Sequence, residues 1–302
     1  MDRHSVSWQG PIPAVVTPFH ADGSIDERAY MENIERVLAN GASGVLVTGC
    51  TGEFWSLTDD ERVRLMRLGV EAANGRGVVL AGTSAIEIGR AIALTDAAAD
   101  AGCDGAVVLP PWFVRLSDEA VLAHYEALSA ATRLPIVAYN IPANATNALK
   151  PSLASRIADV PNVVGIKESS GDWMNFYETL VTVRDRILVF CGPSHWFGAA
   201  ATLAGADGTI DIFPNVWLRG CNGIFHEARA GRVGEAFALQ EKGLRLERLF
   251  TGRGMSLYVA TKHAMNRLGL SGGSVRPPFV PLDPDQAAFL EEGIFAAGLP
   301  DG

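Results

Sequence analysis

The stretch PIVAYNIPANATNALKPSLASRIADVPNVVGIKE, residues 135–168, decides the fold. It opens on a short run, PIVAYN (135–140), that is apolar on both alternating faces. It closes on a second, VVGIK (163–167), and between them Lys150 starts a helix. Strands apolar on both faces are buried on both sides, which is the mark of a parallel sheet covered by helices. The unit therefore reads as strand, crossover helix, parallel strand.

The same alternation extends in both directions. Upstream stand IPAVVTPF (12–19), GVLVTG (44–49), GVVLAGT (77–83) and GAVVLP (105–110); downstream stand ILVFCG (187–192) and GTIDI (208–212). The intervening segments carry helix starts. Asp26 precedes Tyr30, Ile34, Val37 and Leu38 on one face, stopped by Gly41, and Thr58–Glu61 has capping-box spacing. Ser117 and Asp172 stand as caps of two further helices. Eight strands alternating with helices predict an α/β fold, a closed (β/α)8 TIM barrel. The rival, an open doubly wound sheet, often carries a GxGxxG after its first strand, and none is found here.

After about residue 225 the strand signal stops. HEARAGRVGEAFALQEKGLRLERLF (226–250) reads as one helix, and YVATKHAMNRLGL and DPDQAAFLEEGIFAAG as two more. The expected organisation is a catalytic barrel over 1–225 and a C-terminal helical extension over 226–302.

Composition narrows the function. The 302 residues are 48% hydrophobic and 20% charged, with a net charge of −9 and no basic run interleaved with aromatics, so nucleic acid is not an expected partner. No stretch approaches the roughly 20 apolar residues of a membrane span, and the N-terminus lacks a secretory apolar core. Cys50, Cys103, Cys191 and Cys221 form no CxxC pair, and the six histidines show no ligand spacing, so neither a disulfide framework nor a bound metal is expected. A reduced, cytoplasmic setting, no cofactor and a small-molecule substrate are the expectation.

Catalytic groups of such barrels sit at C-terminal strand ends. Lysine is scarce, at positions 150, 167, 242 and 262, and Lys167 alone ends an apolar strand. Desolvation there lowers its pKa, and a neutral amine attacks a ketone to form an imine. Position alone fits equally well a lysine that neutralises Glu168 or a neighbouring carboxylate. Tyr139 ends the adjacent strand, where a phenol can relay protons, or serve simply as a half-buried aromatic. The Gly49–Gly52 turn, with Thr51, can hold a carboxylate, or be an ordinary tight turn. His195 follows the seventh strand, where it can line the pocket or be a helix-terminal histidine without a role.

At these residues the chain resembles the dihydrodipicolinate synthase and N-acetylneuraminate lyase family. The resemblance rests on TPF (17–19), GCTGE (49–53), AGT (81–83), YNIP (139–142), GIKESSGD (165–172) and GADGTI (205–210), in order and at the proper strand ends. It implies a homotetramer of barrels with a C-terminal helical domain. It also implies that Lys167 forms a Schiff base with a 2-oxo acid, Tyr139 relays protons and Thr51 holds the carboxylate. Gly192 and Ile210 would line the imine site through backbone groups. The chain departs from the dihydrodipicolinate synthase pattern at Cys50, where that enzyme carries threonine, at Phe113, where it carries tyrosine, and at Asn144, where it carries a carboxylate-gripping arginine. GEFWSLT (52–58) and IPANAT (141–146) are more similar to 4-hydroxy-2-oxoglutarate aldolases and sugar-acid members, and Asp211 stands where small residues are common. The expectation is therefore an aldolase-type lyase acting on pyruvate or a related 2-oxo acid. The alternatives are a 2-keto-3-deoxy sugar acid dehydratase, using the same imine, and a non-catalytic 2-oxo acid binding protein.

Overall fold

The structure is a computed structural model of the chain, and it describes residues 1–299. Eight parallel strands follow one another around a barrel: β1 (Gly10–Pro11), β2 (Gly44–Val47), β3 (Val78–Gly82), β4 (Gly105–Val108), β5 (Ile136–Asn140), β6 (Val163–Glu168), β7 (Leu188–Cys191) and β8 (Gly208–Thr209). Each pairs with its successor from β2 to β8, and β8 pairs with β1. The seam between β1 and β2 closes through an isolated bridge, Ala14 to Leu46. There the Val15 N–H donates to the Leu46 carbonyl (3.1 Å) and the Leu46 N–H to Pro13 (2.8 Å).

The first and last strands are shorter than the sequence suggests. The run 12–19 contributes only its bridge at Ala14, and β1 itself lies upstream, at Gly10–Pro11. Pro11, Pro13 and Pro18 lack the N–H that a ladder needs, so pairing across this segment is intermittent. After Thr209 the chain leaves the sheet and turns into a 3-10 helix at Phe213–Asn215, and just ahead of it Asp211 accepts the Ile212 N–H at 2.6 Å.

Seven helices alternate with the strands: α1 (Glu27–Ala39), α2 (Asp59–Ala73), α3 (Ile88–Ala101), α4 (Asp118–Ala131), α5 (Pro151–Ile157), α6 (Trp173–Val183) and α7 (Ser194–Ala204). Asp26, Thr58, Ser117 and Asp172 cap α1, α2, α4 and α6, each accepting a backbone N–H of the first turn. The period-2 alternation of the strands sorts their side chains into two layers. Val45, Val47, Ala106, Val108, Ile136 and Ala138 pack outward against the helices. Leu46, Leu80, Val107, Val137, Val164 and Leu188 fill the barrel.

The eighth barrel helix, α8 (Leu218–Arg229), packs on β1 and α7, so the boundary expected at residue 225 falls inside it. The single helix expected over 226–250 is two: α8 ends at Arg229, Gly231 turns the chain with φ +75°, and α9 (Val233–Phe250) follows. That left-handed backbone suits glycine. Then come α10 (Leu257–Arg267) and α11 (Pro284–Ala296), which share an apolar core with α8 and α9. Residues 300–302 of the expected extension lie outside the described residues. No helix among the described residues is long and apolar enough to cross a membrane.

Candidate active site

Strand register builds the site. β5 and β6 place Tyr139 beside Lys167 and Asn140 beside Glu168. One step of alternation separates the two pairs, so they face opposite ways. Glu168 lies on the helix side, accepting from the Asn140 side chain (3.3 Å), the Ser170 N–H (2.7 Å) and Asn175 (3.4 Å). A lysine that neutralises Glu168 is thereby ruled out: Lys167 points into the barrel mouth, 5% exposed, with Nζ 4.1 Å from the centroid of the Tyr139 ring.

A cavity of about 300 Å³ opens there, and its wall includes Lys167, Tyr139, Thr51, Cys50, Gly192, Ile210 and Asn144, the residues the sequence assigns to catalysis and substrate binding. Burial pushes the Lys167 ammonium down to about 8, against a smaller opposing pull from Cys50 and the Asp211 carboxylate. Burial likewise raises the Tyr139 phenol well above its usual value, aided by Cys50 and Tyr258 and opposed by the nearby Ser169 hydroxyl. The Cys50 thiol is raised by burial too, though Lys167 moderates the rise. All four cysteines are free and buried.

The GCTGE turn is held in an unusual shape. Thr48 (φ 50°) and Glu53 (φ 55°) both adopt the left-handed conformation, which costs a side-chain-bearing residue about 1 kcal/mol or more. The surroundings fix it. Thr48 Oγ1 donates to the Gly82 carbonyl (3.1 Å), Thr17 Oγ1 to the Gly52 carbonyl (2.8 Å), and the Glu53 and Phe54 N–H groups return to Cys50 and Gly49. Among the described residues, the N–H groups of Thr51 and Gly52 find no protein acceptor. Successive unspent N–H groups of this kind form a concave anion seat. By contrast, the N–H groups of Gly192 and Ile210 are spent on the Glu168 (2.8 Å) and Cys191 (3.0 Å) carbonyls, so these two residues have no N–H left to offer the cavity. A side chain at Gly192 would fall on Ser169 Oγ.

Fully buried Glu53 pairs with Lys262 of α10, whose Nζ also donates to the Ser274 carbonyl at 2.8 Å. Burial pushes Glu53 up and Lys262 down to about 8, with each partner opposing the effect of burial on the other.

Several lining residues escaped the sequence reading. Tyr258, at the start of α10, places its hydroxyl near Asn144, and Glu247 comes from α9. His195 is no idle helix terminus: it is buried, lines the cavity, and sets Nδ1 3.1 Å from Asp211. Its signal was its position together with an acid at the end of the next strand. Phe113, by contrast, is 85% exposed and stands apart from the residues of this wall. Among the described residues no group of three or more His, Cys, Asp or Glu is placed to hold a metal ion.

These features define a (β/α)8 barrel with a desolvated lysine facing a tyrosine at its mouth. Residues 7–296 match the model of the Dihydrodipicolinate synthetase family, and the chain belongs to that family. It is 32% identical over 295 residues to a 4-hydroxy-tetrahydrodipicolinate synthase of Hyphomonas neptunium, covering 97% of this chain and 99% of that one. It is also 32% identical to an uncharacterized DapA-like lyase of Rhizobium meliloti, over 91% of each. Among solved structures it is similar to YagE, a prophage protein of E. coli K12 in complex with pyruvate (TM-score 0.92, 27% identity, 97% and 100% covered). It is equally similar to the dihydrodipicolinate synthase of Acinetobacter baumannii complexed with pyruvate (TM-score 0.91, 28% identity, 97% and 100% covered).

Proposed function

We propose that this protein is a Schiff-base-forming lyase of the aldolase type, acting on pyruvate or a related 2-oxo acid, with Lys167 as nucleophile. The observation that carries the reading is the buried Lys167, pushed down to about 8 and facing Tyr139 in the cavity. At neutral pH about a tenth of such an amine is free to attack, some hundreds of times the fraction of an ordinary lysine. The pyruvate bound by the two similar structures supports a 2-oxo acid at this position.

The roles follow from placement. The free N–H groups at Thr51 and Gly52, with the Thr51 hydroxyl, hold the C1 carboxylate. Lys167 Nζ adds to C2, and the Tyr139 hydroxyl, kept protonated by its burial, donates to the departing carbinolamine oxygen. The resulting iminium accepts the electron pair released when the bond beyond C3 breaks.

The wall beyond C3 favours a substrate other than that of a dihydrodipicolinate synthase. Among the described residues of the wall, Lys167 is the only lysine or arginine; the others that carry charge are Asp211 and Glu247, with His195 beside them. Asn144 offers an amide where a second substrate carboxylate would want a guanidinium. Hydroxyl, amide and carboxylate groups suit a neutral, hydroxylated tail.

The test is borohydride reduction with pyruvate, followed by intact mass. The wild type should gain one reduced pyruvate and Lys167→Ala none; an adduct that survives the substitution refutes the assignment. Product analysis then separates cleavage to pyruvate and an aldehyde from dehydration of an unshortened skeleton.

A further inference from the structure

The same cavity is lined by a second polar constellation, assembled from two successive strand ends. Ser194 and His195 open α7 after β7, and Asp211 follows β8, so adjacent strands deliver them to one place. Asp211 accepts the Ile212 N–H at 2.6 Å and the Ser194 hydroxyl, and its Oδ2 lies 3.1 Å from His195 Nδ1. The Phe213 ring packs edge-on against the imidazole at 4.7 Å, and the backbone of α9 closes on it at Gly243, where a Cβ would lie 3.0 Å from that of His195. Burial alone would raise the Asp211 carboxyl, but His195, Ser194 and the backbone together hold it below its usual value, as an anion.

We propose that His195, oriented by Asp211, is the acid–base group for the substrate's C4 hydroxyl, a role separate from that of Tyr139. The inference rests on the lyase reading above. With Nδ1–H donating to Asp211, Nε2 carries the lone pair. Nε2 has no protein hydrogen-bond partner among the described residues, and His195 lines the cavity. Asp211 fixes the tautomer and offsets the charge of the imidazolium that forms, as the buried aspartate of a hydrolase triad does.

The step balances without any further reactant. The C4 hydroxyl proton passes to Nε2, the C3–C4 bond breaks, C4 becomes an aldehyde carbon, and the bonding pair moves through C3 into the iminium to give an enamine on Lys167. The Tyr139 side supplies the proton to C3, and water hydrolyses the pyruvate imine. Tyr139 and Cys50 are both held protonated by burial, so neither offers a basic form to take the C4 proton at neutral pH. His195 provides the acceptor the cleavage needs. Asp211 is a positioning residue, acting through His195.

The experiment follows the condensation direction, where the same group returns the proton to the C4 oxygen. Wild type, His195→Gln and Asp211→Asn are each assayed for borohydride trapping of pyruvate, for C3 hydrogen exchange of pyruvate in heavy water, and for condensation of pyruvate with glycolaldehyde, glyceraldehyde and erythrose. His195→Gln should trap and exchange within a few-fold of the wild type, yet lose about 100-fold or more in condensation, the usual weight of a general acid or base. Asp211→Asn should lower kcat for condensation while KM for pyruvate stays put. Retained trapping and exchange show that the variants fold. Condensation that survives His195→Gln, or that falls only in step with exchange, overturns the proposal. So does a wild type that exchanges pyruvate but condenses it with none of the three aldehydes. A wild type that neither traps nor exchanges pyruvate refutes the underlying lyase reading instead.

Discussion

Replacing Lys167 with methionine should make the protein more stable, and by a pH-dependent amount. Methionine keeps the length and apolar character of the stem and removes the ammonium. The fall of the Lys167 pKa from 10.5 to about 8 is driven first by burial. A tenfold change in a proton's binding constant is worth about 1.4 kcal/mol, so holding the charged form in the fold costs about 3 kcal/mol. Below pH 8 both folded and unfolded chains carry the proton, and the whole penalty is present. Between pH 8 and 10.5 only the unfolded chain holds the proton, so wild-type stability rises relative to the variant. Above 10.5 the two converge. For 302 residues, unfolding entropy near 2.1 cal/mol/K per residue turns about 3 kcal/mol into a Tm gap of about 5 °C at pH 7. Paired thermal scans at steps from pH 7 to 10.5 read the gap directly, and the comparison cancels titration common to both proteins, including that of Lys262. A variant no more stable than the wild type at pH 7, or a gap that fails to shrink towards pH 10, would show that the lysine is not held against its solvation.

Tyr139→Phe should lower the rate of pyruvate trapping by about 100-fold or more at saturating pyruvate, because it removes the proton donor for carbinolamine breakdown; stopped trapping time courses measure it. Gly192→Ala should impair pyruvate binding and lower Tm, since its methyl falls on Ser169 Oγ beside Tyr139; calorimetry and trapping check both. Lys262→Met should cost about 3–5 kcal/mol by stranding buried Glu53, whereas Lys262→Met with Glu53→Gln should recover most of it. A double-mutant cycle by denaturant unfolding reads that recovery, and equal losses in the single and double variants would mean that the pair is not coupled.

The barrel was legible because its strands are buried on both faces, and six of the eight strand runs fall where their apolar runs lie. The first and last runs were over-read for a physical reason: prolines interrupt one, and Asp211 draws the other out of the sheet. Lys167 and Tyr139 were legible because a polar side chain closing an apolar strand is conspicuous, and register then sets them side by side. His195 and Asp211 lie 16 positions apart, and only the adjacency of β7 and β8 makes them partners. Tyr258 and Lys262 left no local trace, because what they touch, Asn144 and Glu53, lies more than a hundred residues earlier in the chain.

Those distant contacts bear on how the barrel and the C-terminal helices divide the work. The barrel supplies the lysine, the tyrosine and the anion-seating turn, yet none of these is finished by barrel residues alone. Lys262 of α10 neutralises Glu53 and so fastens the turn whose neighbouring N–H groups face the cavity. Tyr258 of the same helix stands near Asn144 and close enough to help raise Tyr139. On the other wall, α9 packs its Gly243 backbone against His195. The helices thus contribute Glu247, Leu257 and Tyr258 to the wall of the cavity that holds the amine. Burial makes Lys167 a base of about 8 instead of an ordinary lysine. Tyr139 and the Asp211-bound His195 line the same cavity as that amine. Loosening α10 should therefore raise the Lys167 pKa and weaken imine formation together, even though no residue of α10 need touch the nitrogen.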